Sequence, residues 1–241
     1  MGLFRPASDI RKAPSAPSSL QAVTVAQMQA IDDTAIRQFG IPRLLLMEHA
    51  GLALASAVAA MSRPSSAPVL VACGSGYNGG DGLCAGRHLH ALGYGVRVVL
   101  VGRLAALRDE PAQYARMLQR LGIEIREIQR ADEIDASAPW IVEAPCVVDA
   151  LLGIGIRGTV REPYAALIAR LNASGRPIVS ADVPSGLDAD TGAVQGVAVK
   201  AACTVTFGRP KRGCFMAEGP AHAGRLIIDQ ITIPPQILEK V

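Results

Sequence analysis

Three aspartates lie at or just past the end of a short apolar run, each inside a small-residue turn. They are Asp81 in G-S-G-Y-N-G-G-D-G (74–82), Asp149 in D-A-L-L-G-I-G-I-R-G (149–158) and Asp182 in D-V-P-S-G-L-D (182–188). Carboxylates act as general acids or bases when their surroundings move the pKa toward neutrality, and bare glycine backbone lets N–H groups close on an anion. Gathered at one mouth, with no lysine in any of the three turns, these acids would repel one another by up to about 4 kcal/mol per pair at intermediate dielectric. A bound cation, a raised pKa or loop N–H groups must relieve that repulsion. Oxygens from Asn78, Asp149, Ser185 and the loop carbonyls make a hard-cation donor set, although the residues alone do not choose the cation.

The elements that must position these residues alternate. Apolar runs predict strands at Val69–Cys73, Val96–Val101, Ile123–Ile128, Cys146–Ala150, Pro177–Ala181, Ala201–Phe207 and Arg225–Asp229, with a further one at Val194–Val199. Thr24 and Gln27 form a capping-box signature for a first helix that stops at Gly40. A second helix starts after Pro42 and runs to Met61, apolar almost all round, as for a helix covered on more than one side. Further helices are predicted from about Gly80 to Leu92, Glu110 to Leu121 and Pro163 to Asn172. Strand–helix alternation implies an α/β fold, a Rossmann-like three-layer αβα sandwich on a mostly parallel sheet. In such sheets ligands bind outside the carboxyl ends of the strands, so the three turns should converge on one mouth.

The first turn matches G-x-G-x-x-G at Gly74, Gly76 and Gly79, a weak dinucleotide signal here. No ribose-binding acid follows the second strand, which ends at Gly102-Arg103, and no Lys-Ser or Lys-Thr makes it a Walker A loop. A lone aspartate after a strand is more often a turn former; three such turns at successive strand ends favour a site. His88, His90 and His222 read as surface or satisfied core residues, His49 as one of these or as lining an interface, and Lys211, in F-G-R-P-K-R-G, as solvated, with reach to a phosphate as the other reading; Trp140 has no evident place.

Of the 241 residues, half are hydrophobic and 19% charged, which excludes disorder for the chain as a whole. The net charge of +3 is scattered, so no nucleic-acid footprint is expected. Five cysteines without a C-x-x-C pair suit buried thiols in a reducing, cytoplasmic setting and argue against zinc. Residues 1–20 read as a disordered extension, with organelle targeting as the other reading, and residues 21–241 as one domain. Glu48 and His49 interrupt the most apolar segment, so no membrane span is expected.

Together, LLLMEHAG, GSGYNGGDG, DALLGIGIRG and DVPSGLDADTG resemble the NAD(P)HX epimerase (NAD(P)H-hydrate epimerase) family over about Val23 to Ile233. The resemblance implies an isomerase of nicotinamide nucleotide repair. It would interconvert the R and S forms of hydrated NADH and NADPH, NADHX and NADPHX, for a separate dehydratase, usually as a homodimer. By motif matching it implies substrate contacts from Tyr77, Asn78, Gly79, Gly80 and Asp81 in the first turn. Gly153, Ile154, Gly155, Ile156, Arg157, Gly158 and Thr159 would contribute from the second, with Asp182 also at the substrate; the chemistry of the hydrate makes Asp182 the expected catalytic acid/base, with neighbouring Asp149 raising its pKa. One potassium ion per subunit would be held by Asn78, Asp149 and Ser185. Tyr77 and His49 stand where the family usually has Asn. Many bacterial members carry the dehydratase on the same chain; here the sequence reads as a stand-alone epimerase domain or as one from which that second domain has been cut. A non-catalytic interaction protein on the same fold and an NADP-dependent oxidoreductase are the alternatives.

Overall fold

Seven strands form an all-parallel sheet in the order β3-β2-β1-β4-β5-β6-β7 in the computed structural model, which describes residues 22–239. The strands are β1 Val69–Cys73, β2 Val96–Val101, β3 Glu124–Ile128, β4 Val147–Ala150, β5 Ile178–Ala181, β6 Cys203–Phe207 and β7 Arg225–Asp229. The helices are α1 Val25–Asp33, α2 Arg43–Met61, α3 Tyr77–Ala91, α4 Asp109–Arg120, α5 Ala138–Glu143, α6 Tyr164–Ala173, α7 Gly219–Ala223 and α8 Pro235–Leu238. The order reverses at β1 and β4, the topological switch point of a doubly wound sheet.

Alternate residues of each strand feed opposite layers. Val69, Val71 and Cys73 join Val98 and Leu100 under α1 to α4, whereas Leu70, Ala72, Val99 and Val101 pack with Leu167, Ile168 and Leu171 of α6 and with Trp140 and Ile141 of α5. Both faces are therefore dry, which is why these strands read as continuous apolar runs. Trp140, without a place from sequence, closes the second layer, with the Arg126 guanidinium 3.8 Å from its ring centroid. The Thr24–Gln27 capping box is formed, and α1 passes into a π-helical turn over Thr34–Gln38. By length and composition α2 could cross a membrane, yet Leu46, Met47, Ala50, Gly51, Leu54, Ala55, Ala57 and Val58 are buried in the core.

Two expectations are corrected. Val194–Val199 is not a strand but a loop with a single antiparallel bridge, Leu187 to Val194; the 183–198 segment instead folds over a small apolar cluster of Val183, Leu187, Ala189 and Ala198. The third helix starts at Tyr77, three residues before Gly80, so Tyr77 to Asp81 are helical rather than loop. Glycine's low helix propensity hides that start. The expected disordered extension, residues 1–20, lies outside the described residues.

Candidate active site

The β1 and β4 turns separate at the switch point, and their approach to each other requires glycine. A Cβ on Gly79 would lie 1.8 Å from the Gly74 carbonyl oxygen, and one on Gly74 would lie 2.0 Å from that of Leu151. A side chain at Gly79 would force the first turn itself open, and one at Gly74 would force the two turns apart. Gly76 is the N-cap of α3 and no side chain caps it, so the first N–H groups of the helix remain at the positive end of its dipole, the arrangement that binds anions.

Above these strand ends lies a cavity of about 680 Å³, a size that holds a small ligand or much of a nucleotide. Tyr77, Asn78, Asp81, Gly153, Ile154, Gly155, Ile156 and Asp182 line it. Gly79 and Gly80 are buried behind the start of α3, and Arg157, Gly158 and Thr159 lie exposed beyond the rim, so these five do not line it. Four further charged residues complete the walls: Asp32 and Asp33 from α1 and Arg43 at the start of α2, none of which the sequence singled out, and Lys211 after β6.

Asp182 follows β5 with φ 65°, a left-handed conformation that aspartate tolerates better than most residues. All its side-chain hydrogen bonds fall on Oδ1, which accepts from Phe207 N (3.0 Å), from Thr206 Oγ1 (3.2 Å) and from the Lys211 ammonium. The other oxygen, Oδ2, has no partner among the described residues. Lys211 also donates to the Phe207 carbonyl at 2.8 Å and is only 1% exposed. It is thus the buried counterion of Asp182, not the solvated side chain its polar neighbours suggested. The charge beside Asp182 is this ammonium, whereas the neighbour expected from sequence was Asp149.

The repulsion expected among acids appears at Asp81 and Asp32. Burial, reinforced by the charges of Asp182 and Asp32, pushes the Asp81 carboxyl well above the usual carboxylate range. Burial pushes Asp32 up to about 6; Lys211 opposes the shift and Asp182 adds to it. Neither carboxyl has a hydrogen-bond partner among the described residues. The burial that raises the Asp81 pKa disfavours its charged form, which lessens its repulsion of an anion at this helix start. A signal for Asp32 was present: it stands four residues after Met28 and three before Ala35, on the stripe of α1 that is otherwise buried.

Asp149 and Ser185 do not reach the cavity. The β4–β5 register sets Asp149 opposite Ser180, and the Asp149 carboxylate accepts from Ser180 Oγ (2.7 Å), Ser185 Oγ (2.6 Å), Ser185 N (3.0 Å) and Leu151 N (3.3 Å). Ser185 Oγ in turn accepts from Leu152 N at 2.8 Å. Even so, burial holds the Asp149 pKa above normal, and no lysine or arginine pairs with it among the described residues. Asn78 packs beside Gly153, at the seam between this network and the cavity, and its Nδ2 is buried without a partner. A buried carboxylate without a counterion, a hydroxyl oxygen and the Asn78 Oδ1 suit an oxygen-seeking monovalent or divalent cation, whereas the unpartnered Nδ2 is a donor and would not ligate it.

A second polar cluster lies between α2, α3 and α4. Glu48 accepts from Tyr114 Oη at 2.7 Å and from the Arg87 guanidinium, with His88 Nε2 3.0 Å away and Cys84 Sγ at 3.5 Å. Burial pushes Glu48 up, but the Tyr114 hydroxyl and Arg87 outweigh it and hold the carboxyl below its usual value. Arg87 thus supplies the positive charge that a metal would bring there. All five cysteines are free and buried.

An all-parallel, doubly wound sheet with its cavity at the switch point and an ion-paired aspartate on the floor defines a Rossmann-like α/β protein. The chain belongs to the family described as "YjeF-related protein N-terminus", whose model matches residues 43–213. It is 43% identical over 219 residues to the bifunctional NAD(P)H-hydrate repair enzyme Nnr of Pyrobaculum aerophilum, covering 90% of this chain but 43% of that protein. Over 209 residues it is 42% identical to the NAD(P)H-hydrate epimerase of Limosilactobacillus fermentum, covering 86% of this chain and 95% of that one. It therefore spans less than half of the bifunctional relative and nearly all of the other. The crystal structure of yeast ynu0 superposes with a TM-score of 0.78 at 26% identity, covering 91% of this chain and 92% of that one.

Proposed function

We propose that this protein is an NAD(P)H-hydrate epimerase, an isomerase that interconverts the R and S hydrates of NADH and NADPH. The observation that carries the reading is the switch-point cavity with Asp182 fixed on its floor, in a chain that aligns with 95% of an epimerase of that name. The hydrated ring bears a hydroxyl on the carbon next to its nitrogen. The nitrogen lone pair expels that hydroxyl once an acid protonates it, and water returning to the other face inverts the centre. Lys211 and Phe207 N hold Asp182 Oδ1, leaving Oδ2 to exchange a proton with the hydroxyl or with the returning water. The N–H groups opening α3 and the backbone of 153–156 hold the diphosphate.

Asn78, Asp149 and Ser185 would hold a potassium ion, which neutralises the buried Asp149 carboxylate and ties the two turns together. Leu45 and Leu52, exposed one above the other on α2, form the contact of a homodimer. A dehydratase that accepts a single epimer is the functional partner, and buried free thiols fit a reducing cytoplasm.

The decisive experiment incubates the mixed hydrates of NADPH with this protein and such a dehydratase, then separates the products by chromatography. The unused epimer should be consumed far faster than without this protein, and Asp182→Asn should lose at least ~10²-fold of that acceleration. No acceleration by the wild-type protein, or an Asp182→Asn protein as fast as wild type, would sink the reading or the assignment respectively. Hydride transfer to an acceptor would point to an oxidoreductase.

A further inference from the structure

We propose that Asp32, on α1, is a second proton-transfer residue of the cavity, working with Asp182 from a different wall; this rests on the epimerase reading. Inverting a centre by loss and return of water needs a proton delivered to the departing hydroxyl and another removed from the incoming water. These events take place on opposite faces of the ring, so a single fixed oxygen is poorly placed for both. Asp182 stands at the sheet end with one oxygen committed to Lys211, Thr206 and Phe207. Asp32 reaches the same cavity from α1 and has no hydrogen-bond partner among the described residues.

The charges around Asp32 come from every wall. Asp33 is its neighbour on α1, Arg43 faces it from α2, and Asp81 interacts with it from α3; Asp182 and Lys211 approach from the sheet ends. Burial and the charges of Asp182 and Asp33 favour the neutral form, and Lys211 and Arg43 limit the shift, so both forms are accessible near pH 6. Asp81, more deeply enclosed and pushed by burial well above the usual carboxylate range, is better suited to donating a hydrogen bond than to cycling a proton.

The step balances as follows. The proton of Asp32 passes to the hydroxyl oxygen as the carbon–oxygen bond breaks, and its electron pair leaves with water. The ring nitrogen lone pair forms the carbon–nitrogen double bond. Water then adds to the opposite face, that double bond returns its pair to nitrogen, and Asp182 Oδ2 takes the proton released. Exchange with solvent restores the starting protonation, and the reverse reaction uses the two groups in exchanged roles.

The experiment measures kcat/KM for epimer exchange between pH 5 and 8 for wild type, Asp32→Asn and Asp32→Glu, with circular dichroism and NADPH affinity as folding and binding controls. Expected are a roughly 10²-fold loss in Asp32→Asn with NADPH affinity retained, partial rescue in Asp32→Glu, and a wild-type fall in rate above about pH 6 that is missing from Asp32→Asn. An Asp32→Asn protein with wild-type rate and pH profile would overturn the role of Asp32 and leave the epimerase reading intact. A wild-type protein that does not exchange the epimers overturns both.

Discussion

Asp182 and Lys211 show how a site residue is held when its partner is invisible in the local sequence. Lys211 sits in G-R-P-K-R-G, a segment that reads as a solvated loop. It is buried because distant backbone draws it in: Val23 N donates to Pro210 O at 2.8 Å and Arg212 N donates to Val23 O at 3.0 Å. No periodicity reports that pairing. The ion pair gives a sharp prediction, because removing one partner of a buried pair leaves the other as an unpaired charge. Lys211→Met should destabilise the fold by about 3–5 kcal/mol and abolish epimer exchange, seen as a lower urea midpoint and a lost rate. The double variant Lys211→Met/Asp182→Leu should recover much of the stability and none of the activity. If Lys211→Met unfolded at the wild-type urea concentration, Asp182 would not depend on this counterion.

At the scale of elements, strand register does the work that loop sequence was expected to do. Parallel pairing of β4 with β5 puts Ser180 beside Asp149, and the turn after β5 returns Ser185 to the same carboxylate. The proposed potassium ligands Asp149 and Ser185 are therefore fixed by the sheet, and Asn78 by the first turn of α3. If the ion binds there, potassium chloride should raise the melting temperature relative to choline chloride at equal ionic strength. The gain should approach about 2.7 kcal/mol at a hundredfold excess over the dissociation constant. Asp149→Asn, which keeps the shape and removes the charge, should melt at the same temperature in both salts; a potassium effect that survives this change would place the ion elsewhere. The strands were legible because burial on both faces makes each a bare apolar run between turns: β1, β2 and β7 begin and end where the sequence indicates. The start of α3 was not, because glycines selected for close approach to Gly74 are poor helix formers. Nor was the 183–198 segment, whose valines pack under a loop instead of pairing along it.

For the whole molecule, the remaining question is what covers α2. One side of this helix fills the core, yet Leu45 is 45% and Leu52 44% exposed. They lie seven residues apart on one stripe with the polar His49 between them, so two exposed leucines flank a histidine across two turns of the outer face. The sheet and α3 are on the inner side, and among the described residues nothing packs over this stripe. A second copy of the chain would meet it as an isologous contact, the same stripe on both partners. The helix that would make the contact also carries Arg43, which stands 4.2 Å from the centroid of the Tyr77 ring at the cavity mouth, so dimerisation would brace one wall of the site. Leu45→Glu/Leu52→Glu should then convert a species of twice the chain mass, measured by light scattering after gel filtration, into one of single mass with an unchanged circular dichroism spectrum. Because the substitutions are outside the cavity, the single-mass species should keep some activity with a raised KM. A wild-type protein already of single mass would leave the α2 stripe without this role, and a double variant that stays paired would move the contact to another face.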